Sequence, residues 1–247
     1  AKDALAERFE REPLAFAAVP GTPFAYWLSE RFCALFATCQ RLDSPPFSVR
    51  AGLATGSDGR FLRLWSETHE SSTRWRAFAK GGKFGAFYAD LGLLIDWAKS
   101  GEPIELSFIG ARVRKPDFGR PGLTWPIKNR FSFKPRCLPA DSIFGHVGPA
   151  MFVDGDKPTV LLAIQALLSS DAFTALVKPM AGWNFEAGVI GNAPVPILTD
   201  STIRTLAQLG RRAWSLKRSL DTTNETSHAF LLPPGAIDKI SGLARID

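Results

Sequence analysis

Cysteine and histidine are scarce in this chain of 247 residues, with three of each. Cys33, Cys39 and Cys137 lie apart from His69, His146 and His228, with no Cys-x-x-Cys or His-x-x-x-His spacing, so no metal site is expected. An odd, low cysteine count fits a reducing cytoplasm better than a disulfide framework. The longest apolar run, Thr159 to Leu168, is broken by Gln165 and too short to cross a bilayer, so no membrane partner is expected. No signal peptide is visible. Methionine occurs only at Met151 and Met180 and the first residue is Ala1, so the chain reads as a fragment or a processed product. The chain also lacks Gly-x-Gly-x-x-Gly, a phosphate loop ending in Gly-Lys-Ser/Thr, and a Gly-x-Ser-x-Gly elbow. Lys80-Gly81-Gly82-Lys83 and Phe144-Gly145-His146-Val147-Gly148 are the nearest approaches, and both have the wrong spacing. On residue chemistry alone the chain resembles a binding module, with no catalytic, metal-ligating or cofactor-binding residue of its own.

What is present is an ordinary globular composition, 45% hydrophobic and 22% charged, with a markedly uneven charge. Residues 1–40 carry 4 basic and 5 acidic side chains, and residues 141–247 carry 9 and 10. Residues 41–140 carry 17 basic and 9 acidic side chains, so the whole excess lies there. Between Arg112 and Arg136, Asp117 is the only acid among Arg112, Arg114, Lys115, Arg120, Lys128, Arg130, Lys134 and Arg136. Such segregation is the footprint of a polyanion-binding surface, although a plain solvated face would carry the same charges.

Patterning predicts an α+β fold: a β-rich centre flanked by an amino-terminal helix and a helical carboxy-terminal segment. Residues 22–39 read as a helix capped by Thr22 with Pro23 at its first position, burying Phe24, Trp27, Leu28, Phe32, Leu35 and Phe36. From Phe47 to Val153, short segments rich in Phe, Trp, Val and Ile are punctuated by glycine and proline, as strands are. Helices return from Lys157, with one stripe at Val160, Leu161, Ile164, Leu167 and Leu168. A second stripe at Ile203, Leu206, Ala207, Ala213 and Trp214 starts after Asp200 or Ser201 as cap. The corresponding divisions are 1–45 as a helical linker, 46–155 as a β-rich core, and 156–247 as a mainly helical part.

Within Lys128–Cys137 the even positions are Lys128, Arg130, Ser132, Lys134 and Arg136, while Phe131 and Phe133 are odd. Opposite faces of a strand alternate, so one basic face and one core face are expected, with cations about 6.6 Å apart. Arg74, Arg76 and Lys80 repeat the pattern more weakly. Arg204, Arg211 and Arg218 share a helical face that solvent alone would explain. Ser44-Pro45-Pro46-Phe47 looks like the loop that grips a flipped base in amino-methyltransferases, but Thr38–Asp43 cannot supply the buried strand such a loop needs, so it reads as a chance turn.

Five segments, in order over about residues 19–230, resemble BREX-type phage-defence adenine-specific DNA methyltransferases. They are Val19-Pro20-Gly21-Thr22-Pro23-Phe24-Ala25-Tyr26-Trp27; Gly52-Leu53-Ala54-Thr55-Gly56 with Phe61-Leu62-Arg63-Leu64-Trp65; Trp75 through Lys80-Gly81-Gly82 with Ile95-Asp96-Trp97 and Gly101; Arg136-Cys137-Leu138-Pro139-Ala140; and Trp183-Asn184-Phe185-Glu186-Ala187-Gly188-Val189-Ile190 with Pro194-Val195-Pro196. Ser57-Asp58-Gly59 departs from the family pattern, where an Asn-containing turn is usual. The resemblance implies the carboxy-terminal target-recognition region, a kind also found in single-chain restriction–methylation enzymes. It further implies that the methyltransferase domain, with its Asn-Pro-Pro-Tyr loop and S-adenosylmethionine site, lies upstream of Ala1 in a parent enzyme.

The expected function is therefore recognition of double-stranded DNA for N6-adenine methylation in phage defence, the chain by itself being inactive. The expected contacts are Arg60, Arg63, Arg74, Arg76, Lys80, Lys83, Arg112, Arg114, Lys115, Arg120, Lys128, Arg130, Lys134 and Arg136. The alternative is a non-enzymatic module that docks onto other defence proteins through its basic face or helical end.

Overall fold

The computed structural model describes residues 19–21, 23, 28–68, 73–113 and 115–231. A helix, a strand-rich middle and a helical end follow one another as the patterning predicts, and the architecture is α+β. α1 (Glu30–Thr38) is shorter than the expected 22–39 and starts where the Ser29 hydroxyl accepts from the Phe32 amide at 3.2 Å. Thr22, Phe24 and Trp27 lie outside the described residues. Leu28 instead packs with Val19 against Phe32 and Phe36.

Two four-stranded sheets make up the centre. The first, in the order β2 (Phe47–Arg50), β9 (Ala150–Val153), β6 (Gly122–Thr124), β7 (Arg136–Leu138), is antiparallel throughout. Strand β2 alternates as its sequence demands, with Phe47 and Val49 inward and Arg50 outward. Strand β9 is buried on both faces: Met151 and Val153 join one apolar cluster, Ala150 and Phe152 another. That is why it reads as an unbroken apolar run. The second sheet runs β3 (Leu62–Leu64), β5 (Leu93–Asp96), β4 (Trp75–Ala79), β8 (Ile143–Phe144), with β4 and β8 parallel. A short antiparallel pair joins β1 (Gln40–Arg41) to β10 (Pro194–Val195). Short α2 (Asp58–Phe61) and α3 (Glu102–Ser107) interrupt the β-rich stretch.

The main core lies between the first sheet and the helices α4 (Pro158–Leu168), α5 (Asp171–Ala181) and α6 (Ala187–Gly191). It joins Leu42, Leu123, Trp125 and Phe133 to Ile164, Leu168, Val177 and Ile190, so segments on both sides of residue 155 share it. No single helix among the described residues is long and apolar enough to cross a membrane.

The long helix α7 (Asp200–Leu220) is capped by Thr199, one residue before the expected cap. It rests on α4 through Ala207 and Gly210. A Cβ on Gly210 would stand 2.5 Å from the Leu162 carbonyl oxygen. Gly210→Ala must therefore push the two helices apart, and a loss of about 1–3 kcal/mol is expected in urea unfolding.

Candidate nucleic-acid interface

Four loops interlock where the strands end. Parallel pairing of β4 with β8 sets Lys80–Lys83 beside Gly145–Gly148. The fit is tight: a Cβ on Gly81 would lie 2.5 Å from the Val147 carbonyl oxygen, and one on Gly148 would lie 2.5 Å from the Ala79 carbonyl oxygen. The third loop leaves β6, and its Ile127 amide donates to the Val147 carbonyl at 3.2 Å. The fourth follows α5: Phe185 donates to the Ile127 carbonyl at 2.6 Å, and Asn129 donates to the Trp183 carbonyl at 3.0 Å. Beneath them Trp125 is 1% exposed, and its indole Nε1 donates to the Phe185 carbonyl at 2.8 Å.

The structure corrects the strand expected over 128–137. Only Arg136–Leu138 is a strand, and Lys128 makes a single bridge to Asn184. The Asn129 side chain accepts from the Phe131 amide at 2.9 Å and donates to the Ser132 carbonyl at 2.7 Å, so a side chain takes over hydrogen bonds that a ladder would use. Pro135 has no N–H to offer one. Phe133 enters the core as expected, but Phe131 stands 77% exposed at the tip of the turn. Trp183, 63% exposed, flanks it, with the Arg130 guanidinium 5.4 Å from its ring centre. Lys128, Asn129, Arg130, Trp183 and Asn184 line a concavity of about 510 Å³. Buried Asn184 Oδ1 has no partner there among the described residues.

A second concavity of about 270 Å³ opens beside the glycine loop and is lined by Thr55, Asp58, Lys80 and His146 over Leu53, Phe78 and Val147. Thr55 donates to Asp58 at 2.6 Å, and Lys80 forms an ion pair with the same carboxylate. These bonds, that of Lys80 foremost, hold the Asp58 carboxyl below its ordinary range.

The predicted cations divide into two groups. Arg136 is buried, because its strand is covered on both sides, and it donates to the Gly81 and Lys83 carbonyls. Arg120 is tied to Asp117 and Asp156 at 2.7 and 2.8 Å. Arg74 pairs with Asp96, Arg76 with Asp141 and Lys134 with Asp171. Lys115 donates to the Ala51 carbonyl, and burial lowers its pKa. Arg63 donates to the Gly59 and Leu62 carbonyls. Arg114 lies outside the described residues. Arg60, Lys83, Arg112, Lys128 and Arg130 are exposed and form no ion pair among the described residues. Of these, Lys83, Lys128 and Arg130 stand on the interlocked loops. Sequence periodicity missed the exposed aromatics Phe84, Phe131 and Trp183. The Asn129–Ser132 turn signal and the Gly182 helix stop were the available pointers to two of them.

Ser44–Phe47 is a turn into β2 whose Phe47 ring lies in the core. Neither concavity offers a free carboxylate for ribose hydroxyls: Asp58 is committed to Thr55 and Lys80, and no acid lines the other. The residues lining these two concavities do not fit a methyl-donor nucleoside.

The sequence is similar to adenine-specific methyltransferase PglX of Lacticaseibacillus casei (strain Zhang), 26% identical over 246 residues, which covers 86% of this chain and 20% of the relative. It is similar also to adenine-specific methyltransferase BrxX of Escherichia coli O9:H4 (strain HS), 29% identical over 195 residues, which covers 73% of this chain and 15% of the relative. The chain thus spans a fifth or less of the length of these relatives. No family model matches the sequence.

Proposed function

From its kinship with BREX-type adenine-specific methyltransferases, we propose that this chain is a DNA target-recognition segment of a site-specific adenine (N6) methyltransferase, without catalytic or methyl-donor residues of its own. The observation that carries the reading is that Lys83, Lys128 and Arg130, exposed and without an ion pair among the described residues, and exposed Phe84, Phe131 and Trp183 stand on loops locked to one another. Cations such as Lys83, Lys128 and Arg130 neutralise phosphates and set register, while other polar groups of the recognition surface read base edges. Aromatic faces offer stacking to a base displaced from the duplex. An adenine must leave the helix to be methylated, so the recognition surface holds the distorted duplex while the reaction proceeds in the parent's catalytic domain, where S-adenosylmethionine binds. Other phage-defence proteins are the further partners this reading implies.

Titrating the chain with a fluorescent duplex over a range of salt concentrations tests the reading. Affinity is expected to fall steeply, by about 0.9 in log–log slope per phosphate contact. With labelled methyl donor, the isolated chain is expected to transfer nothing. A flat salt dependence, or methyl transfer by the chain alone, overturns the assignment. One observation favours a second reading, protein docking: Leu209, Leu216 and Leu220 are exposed along α7. In that case binding to a protein, not to DNA, is lost when these leucines become serine.

A further inference from the structure

The turn Lys80-Gly81-Gly82-Lys83 was set aside in the sequence because it lacks the ending of a phosphate loop, yet its geometry is unusual. Gly81 and Gly82 have φ of +94° and +76°. From Gly81 to Phe84 no backbone N–H donates to an acceptor among the described residues. A Cβ on Gly82 would meet nothing within 4 Å, and Gly82, Lys83 and Phe84 are exposed, whereas Gly81 is packed against Val147 and Gly148. Successive unused N–H groups in a turn form the concave anion-binding arrangement known as a nest.

Below the turn lies Arg136, 4% exposed. Its Nη1 donates to the Lys83 carbonyl at 3.0 Å and its Nη2 to the Gly81 carbonyl, while Nε has no partner. No carboxylate pairs with it among the described residues, and burial lowers its pKa to about 10, so it remains charged at neutral pH. A buried charge without a counter-ion is costly. Carbonyl clamping alone does not need that charge, whereas an anion seated on the turn would compensate it.

We propose that the Lys80–Lys83 turn is a seat for a phosphate oxyanion, held by the unused loop amides and the Lys83 ammonium, with Arg136 as the positioning residue that shapes the turn and supplies buried positive potential. Resting on the DNA reading above, the proposal takes a backbone phosphodiester as the ligand. Free phosphate has the same chemistry and is separated from it by the test. Lys80, already paired with Asp58, borders the seat without completing it.

The test uses the ¹⁵N-labelled full chain, titrated separately with a 20-base-pair duplex and with inorganic phosphate. The Gly82 and Lys83 amide resonances are expected to move with duplex at lower concentration than with phosphate. Lys83→Ala is expected to lower the salt slope by about 0.9. Arg136→Lys, which keeps the charge, is expected to retain more affinity than Arg136→Gln. Because Arg136→Gln can unfold the chain, the amide shifts of the unaltered protein decide independently. If duplex binds and shifts residues 128–131 and 183–185 but leaves Gly82 and Lys83 unmoved, the seat is wrong and the DNA reading survives. If duplex fails to bind while phosphate moves those amides, the DNA reading falls and the seat is one for free phosphate. If neither ligand moves them, the seat is wrong.

Discussion

Replacing Lys83, Lys128 and Arg130 together by alanine is expected to lower the salt slope of duplex binding by about 2.7 and to weaken binding about 10²-fold near 0.15 M salt. The estimate takes each side chain as one phosphate contact, and the loss is expected in fluorescence anisotropy from 50 to 400 mM salt. The fold should survive, because all three side chains are exposed and none forms an ion pair among the described residues. Lys134→Ala provides the contrast: its ammonium lies 3.1 Å from Asp171, so its charge is already matched within the protein. It is expected to change the slope by less than half of one contact. Equal effects from Lys134 and from the triple variant would mean that net charge, and not the loop cluster, governs binding.

The second large effect concerns the support under the interface. Trp125 packs edge-on to Phe133 with ring centres 5.2 Å apart, and its indole nitrogen holds the Phe185 carbonyl. Trp125→Ala removes a fully buried ring, leaves a cavity and orphans that carbonyl, so a loss of about 3–5 kcal/mol is expected in chemical denaturation. Trp125→Phe retains most of the ring volume and forfeits the hydrogen bond, for which about 1–3 kcal/mol is expected. If the bond is what ties residues 183–185 to residues 126–129, Trp125→Phe should weaken duplex binding even at temperatures where the protein is fully folded. Unchanged binding would show that the hydrogen bonds from Phe185 to Ile127 and from Asn129 to Trp183 hold the two loops without it.

Chemistry that sits close together in the chain was legible in the sequence. The stripe at Val160, Ile164 and Leu168 gave α4, the stripe at Ile203, Leu206 and Ala207 gave α7, and the aromatic, glycine-punctuated middle gave the sheets. The five family-like segments pointed to relatives that the comparisons also found. Lys128–Cys137 failed as a strand for an identifiable reason. Period-two alternation records which side chains could share a face, but it is blind to an Asn129 side chain that satisfies the backbone locally. It is equally blind to a strand covered on both faces, where an arginine at an outward position is buried anyway.

The excess of positive charge between residues 41 and 140 was fixed by composition, because counting needs no geometry. Which of those cations remain available was decided only in three dimensions. Asp58, Asp96, Asp141, Asp156 and Asp171 reach Lys80, Arg74, Arg76, Arg120 and Lys134 from 22 to 65 positions away in the chain. Neutralisation by an ion pair falls off over a few ångströms in space, whatever the separation along the sequence. The meeting of the loops that carry Lys83, Phe84, Lys128, Arg130, Phe131 and Trp183 has the same origin, since backbone contacts between segments far apart in the chain, and no local pattern, bring them together.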